Sequence, residues 1–239
     1  APRLNSGVRC LMPTVPLSQD EYNEKFSSSP SLNLGSIRER ALERAIDTRK
    51  FEIDLYWKRA SYFWTFIGAS LAGYIAIQAS ASLNKTHPSI LLSCAGLTFS
   101  FAWLLANRGS KYWQENWENH VGLLEDPVMG PLFKVTLTRN DPEGRTEQLL
   151  HLLTGPSPFS VSKINQLLSL FITGIWLVLL AASLPAFSIH APINWTYTSE
   201  VGLAVLTCVG MLVFGQSYQG GHWHRGRIRT AEINNQDGT

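Results

Sequence analysis

The chain has 239 residues, of which 45 % are apolar and 16 % charged, with a formal charge of +2. The charged fraction lies below the roughly 25 % usual for soluble proteins, and the charges are segregated, which argues against a water-soluble core. Three cysteines, Cys10, Cys94 and Cys208, offer no disulfide framework and no CxxC metal spacing, and read as small apolar groups.

Residues 1–35 form a Pro- and Ser-containing arm without the apolar run of a signal peptide. Ser36 and Glu39 then make a capping-box pattern, followed by a helix over 36–59. Arg40 with Glu43, Arg44 with Asp47, and Asp54 with Lys58 lie three or four apart, as on a solvated helix face. This helix either has no specific partner or packs in an oligomer's cytoplasmic collar.

Four segments free of Lys, Arg, Asp and Glu are predicted to cross a bilayer: 60–82, 89–106, 164–187 and 201–218. They are grouped into two hairpins, 60–107 and 163–218. Between these, residues 108–162 are expected to be cytoplasmic and to hold a small α+β element. Its first part is a helix with the stripe Trp113, Trp117, Val121, Leu124, which either packs against another subunit or is an ordinary core stripe. Phe133, Val135 and Leu137 alternate, which predicts a strand over 133–138. Residues 146–153 are ambiguous between strand and helix. Ser160 or Ser162 should cap the helix that becomes the third span.

Of 20 Lys and Arg, only Lys85 falls in the hairpin loops 84–88 and 188–200. The positive-inside tendency therefore puts both termini in the cytoplasm. The tail 219–239 carries His222, His224, Arg225, Arg227 and Arg229, suited to anionic lipid or to a phosphate-bearing signal.

No phosphate-binding loop, GxSxG, HExxH or dinucleotide fingerprint occurs, so no catalytic set, metal or cofactor is implied, and an enzyme is not expected. Small residues lie four apart in the first span, Gly68 with Ala72 and Ala69 with Gly73, which allows close helix packing within or between subunits. The polar residues available to line a pore are Gln78, Ser80, Ser82, Thr207 and Gln216, with Lys58, Arg59 and Glu200 at its mouths.

The segments IDLYWKRASYFWTF, RGSKYWQENWENHVGLLED and FSVSKINQLLSLFITGIW resemble the RipA-like family of bacterial octameric inner-membrane proteins, over roughly residues 50–185. The resemblance implies a bacterial inner membrane and a homo-oligomer, an octamer, and carries over no catalytic residues. The four-span layout also looks like that of membrane effectors of anti-phage systems. The expected function is a regulated channel with a cytoplasmic sensing region. The rivals are a non-conducting scaffold that recruits a soluble cytoplasmic protein, and an anti-phage effector.

Overall fold

The computed structural model describes residues 37–137, 144–186 and 192–216, together with residues 20, 21 and 24. Among the described residues there is no strand, and six helices follow one another: α1 (Ile37–Ala79), α2 (Thr86–Leu124), α3 (Asp126–Met129), α4 (Arg145–Thr154), α5 (Val161–Ser183) and α6 (Trp195–Phe214). Four of them, α1, α2, α5 and α6, are long and apolar enough to span a membrane.

The first two helices are longer than a bilayer requires. At 1.5 Å per residue, the 39 residues of α2 extend about 58 Å, against a hydrocarbon core of about 30 Å. α1 and α2 therefore continue out of the apolar bundle as a charged antiparallel pair, which we call the extended end. The opposite end, where α1 turns into α2 over residues 80–85, is the loop end. There Lys85 Nζ donates to the Gln78 carbonyl (2.7 Å) and Gln78 Nε2 to Ser89 Oγ (2.9 Å), so the last turn of α1 is tied to the first of α2.

α2 is the axis of the bundle, and α1, α5 and α6 each pack against it. One row of its inward positions is Ser89, Ser93, Gly96, Ser100, Trp103, Asn107, Ser110, Gln114, Val121 and Leu124, all buried, with half-buried Trp117 completing it and Ile90, Cys94 and Leu97 buried beside it. The intervals alternate four and three without a break, which is the 3.5-residue repeat of a coiled-coil seam. Inside the membrane part this seam is occupied mainly by small and polar groups, which let neighbouring backbones come close.

Two clusters hold the pair at its two levels. In the apolar bundle Ile67, Ile90, Leu97, Trp103, Trp176, Leu180 and Ala204 are packed together. Gly96 lies directly under the Trp176 indole: a methyl group on Gly96 would come within 2.2 Å of the ring. At the extended end Leu42 and Ala45 of α1 close on Val121 and Leu124 of α2. The lower half of the aromatic stripe is thus core within one chain. Trp117 packs beside that cluster, and half-buried Trp113 borders a cleft with Met211, Gly215 and Gln216.

One expectation is corrected. The α+β element is not present: residues 132–134 form a turn and 135–137 are irregular, while Phe133, Val135 and Leu137 are all exposed. Alternation alone makes no strand when no second strand offers a ladder. Thr138 lies outside the described residues. The ambiguous segment is helical, within α4. α5 and α6 rest on α2 rather than on one another. Of the expected caps, Ser160 starts α5 by accepting from Lys163 N (3.4 Å). Asn194, not anticipated from sequence, starts α6 by accepting from Thr196 N and Tyr197 N. Ser36 and the tail residues His222, His224, Arg225, Arg227 and Arg229 lie outside the described residues.

Candidate functional site

The densest polar site lies where α1, α2 and α5 meet, at the boundary between apolar bundle and extended end. Asn107 of α2 donates from Nδ2 to the Asn165 carbonyl and to Ser169 Oγ, both at 3.2 Å. Asn165 Nδ2 donates in turn to the Tyr56 hydroxyl of α1 at 2.6 Å. Tyr56, Asn107, Asn165 and Ser169 are all buried. One turn toward the extended end, Arg59 donates to Ser110 Oγ (3.2 Å) and sits 3.9 Å from Glu52, while Ser162 donates to Gln114 Oε1 (3.3 Å). Burial raises the pKa of Tyr56, and the hydrogen bond from Asn165 partly offsets that rise. The phenol therefore stays neutral, and the ions beside the network, Arg59 and Glu52, are both partly exposed.

These groups are mutually satisfied and closely packed, and contain no nucleophile paired with a base. They fix three helices to one another. Hydrogen bonds between membrane helices contribute on average about 0.6 kcal/mol each, so three to five of them act as a register device more than as a large store of stability.

A second buried polar group stands at the extended end. Glu125 is fully buried, directly after the last residue of α2. Gly130, with φ of 76°, reverses the chain after α3, a conformation that favours glycine. The reversal returns Phe133 N to Glu125 Oε2 at 2.7 Å, while Oε1 is buried without a hydrogen-bond partner. Arg49 of α1 lies over the Phe133 ring, 5.6 Å from its centroid, and reaches Glu118 of α2 at 3.8 Å. His120, beside Trp117, is half-buried, and burial lowers its pKa. Among the described residues no group of three His, Cys, Asp or Glu is placed to hold a metal.

The expected pore residues are not gathered within one chain. Gln78, Ser80 and Ser82 lie at the loop end, bonded to Ser89 Oγ, the Ile77 carbonyl and Asn84 N. Thr207 Oγ1 and Gln216 Nε2 bond back to the Leu203 and Leu212 carbonyls of α6. Glu200 accepts from His87 Nε2 at 2.8 Å and so joins α6 to the start of α2. Lys58 is exposed. Gly73 faces Leu92 of α2, whereas Gly68, Ala69 and Ala72 face outward. Tyr56, Asn107, Asn165, Ser169 and Glu125 were not singled out from sequence. The signal for the seam was present in the four-three spacing of Ser, Gly, Asn and Gln along residues 89–114.

Three apolar helices around a central fourth, joined by buried amides and leaving broad apolar faces uncovered, define a polytopic helical membrane protein built to associate with further helices. The model of the octameric membrane protein family (8xMP) matches residues 39–185. The chain belongs to that family, and it is a homo-oligomeric membrane protein. The match covers α1 to α5 and stops before α6. No curated protein and no solved structure matches the chain.

Proposed function

We propose that the chain is one subunit of a homo-octameric channel in a bacterial inner membrane, gated through its cytoplasmic extension and without enzymatic turnover. Both termini and the extended end are in the cytoplasm, a reading supported by the 19 of 20 Lys and Arg that lie outside the two loops. The observation that carries the proposal is the continuity of α1 and α2. Each runs without a break from the Leu42–Leu124 cluster into the apolar bundle. A displacement at the cytoplasmic end is delivered to the membrane spans through two stiff rods. The interior of one bundle is filled by side chains, so a conduction path runs between subunits. Gln78, Ser80, Ser82, Thr207 and Gln216 are the polar groups available to it, with Lys58 and Arg59 at the inner mouth and Glu200 at the outer. The basic tail, with His222, His224, Arg225, Arg227 and Arg229, would meet anionic lipid or a phosphate-bearing signal.

The test is conductance of the purified octamer in planar bilayers, with Gln78→Leu and Gln216→Leu as variants. Current in the wild type under some activating condition, altered by one of the changes, is the expected result. An octamer that never conducts, with or without cytoplasmic extract, leaves the scaffold reading. One observation favours that alternative: α4 leaves Leu149, Leu150 and Leu153 exposed at the extended end, a short apolar face suited to a soluble cytoplasmic protein.

A further inference from the structure

Two uncovered features of this chain are complementary in shape and lie at the same depth. The first is the face of α1 turned away from α2. Ser61, Thr65, Gly68, Ala72, Ala76 and Ala79 are all exposed, recur at helical spacing, and include no side chain larger than threonine. A Cβ added at Gly68 would meet nothing within 4 Å. Such a face admits another helix at backbone distance.

The second feature lies beside the loop-end half of α6. An apolar groove of about 840 Å³ opens there between α6 and the residues that follow α5 and precede α6, lined by Pro185, Ile193, Tyr197, Val201, Gly202 and Val205 among others. Two turns of helix, about 11 Å long and 10 Å wide, fill a volume of about that size. Ala72 lies seven residues before the loop end of α1, and Gly202 seven residues after the loop-end start of α6. Small face and groove therefore overlap along the membrane normal.

The chain's family is octameric, so further copies share the membrane with it. We propose that the small face of α1 in one copy seats in the loop-end groove beside α6 of the next. The contact joins two different surfaces, so it is heterologous and repeats head to tail until the rotation closes a ring. The proposal rests on self-assembly and not on conduction; a silent octamer leaves it standing.

The experiment is disulfide trapping of the full chain in membranes, using Ala72→Cys with Gly202→Cys. The background replaces Cys10, Cys94 and Cys208 by alanine and must retain the wild-type mass. Oxidation of the double variant is expected to give a ladder of covalent oligomers reaching eight copies. Either single variant is expected to stay monomeric on a denaturing gel, because a heterologous contact brings no residue to its own copy. Independently, Gly68→Leu or Ala76→Leu should reduce the native mass from eight copies to one while the helical circular dichroism is kept. A monomer-only gel from a double variant that is octameric by native mass overturns the proposal, with lipid chains then filling the groove. Dimers from the Ala72→Cys single variant, or an intact octamer with leucine at both positions, overturn it as well.

Discussion

Replacing Gly96 by alanine places a methyl carbon 2.2, 2.3 and 2.5 Å from three atoms of the Trp176 ring. A relaxed carbon–carbon contact is about 3.5–4.0 Å, so the indole must retreat by about 1.3 Å or more. It has little room to do so. Trp176 is 1 % exposed, and Tyr74 meets it edge-on with centroids 6.3 Å apart. Tyr74 is itself tied to Ser183 Oγ at 3.2 Å. The expected cost is that of overpacking, roughly 1–3 kcal/mol, with α5 pushed off α2 near the middle of the bundle. Trp176→Leu alone opens a cavity and also destabilises. In the double variant the new methyl group enters the space the indole left, so the two losses should fall short of their sum by about 0.5–3 kcal/mol. Unfolding of purified protein in detergent by increasing SDS fraction, followed by circular dichroism, measures all three. Gly174→Ala on α5, where a Cβ would meet nothing within 4 Å, should leave the midpoint close to wild type. Strict additivity of the Gly96 and Trp176 changes, or a wild-type midpoint for Gly96→Ala, refutes the packing argument.

Three further outcomes follow from the polar sites. Asn107→Leu removes the donor to Asn165 O and Ser169 Oγ and should cost roughly 1–3 kcal/mol, whereas exposed Asn84→Leu should cost almost nothing in the same unfolding assay. Glu125→Gln keeps an acceptor for Phe133 N while removing a buried charge, so its midpoint should equal or exceed wild type; Glu125→Ala should lose roughly 1–3 kcal/mol, and a glutamine variant as weak as the alanine one would show that the charge itself is needed. Burial holds the folded pKa of His120 below its unfolded value of about 6.5. Its contribution is therefore complete above that value and is lost as pH falls through the folded pKa. Melting between pH 7 and 5 should decline more steeply in wild type than in His120→Gln, and parallel declines would remove His120 from the account.

The four spans were legible because a run of about 20 residues without charge matches the hydrocarbon thickness and is costly to leave in water. The seam of α2 was not read, since the habit of assigning polar residues to the outside is inverted in lipid. Ser93, Ser100 and Asn107 face inward because the surroundings are as apolar as leucine, and close packing with hydrogen bonding are what remain to draw helices together. The strand expected from Phe133, Val135 and Leu137 failed for the opposite reason: its pattern was clear, but among the described residues no neighbouring strand exists to reward it. Glu125 escaped notice because it precedes Asp126-Pro127 and resembles an ordinary helix terminator. Its burial depends on the reversal at Gly130, a tertiary fact that local pattern does not contain. Trp176 and Ala204 commit α5 and α6 to the common helix separately, and a gap between them remains.

That gap bears on how the bundle keeps a unique register. In lipid, one apolar face slides over another at little cost, so position along the axis must be set by features that do not repeat. α5 has two on α2: the indole of Trp176 over Gly96, and the Asn165–Ser169 pair at Asn107. They are 11 residues apart on each helix, about 16 Å along the axis. One such point would fix translation and leave the crossing angle free; two fix both. α6 has one comparable tie, His87 with Glu200, at its loop end, and Ala204 is its single buried residue among those described. Its polar tie thus lies at one end alone, and the family match ends before it. It is the span with the fewest buried residues of its own, and it forms one wall of the groove in which the small face of a neighbouring α1 would sit.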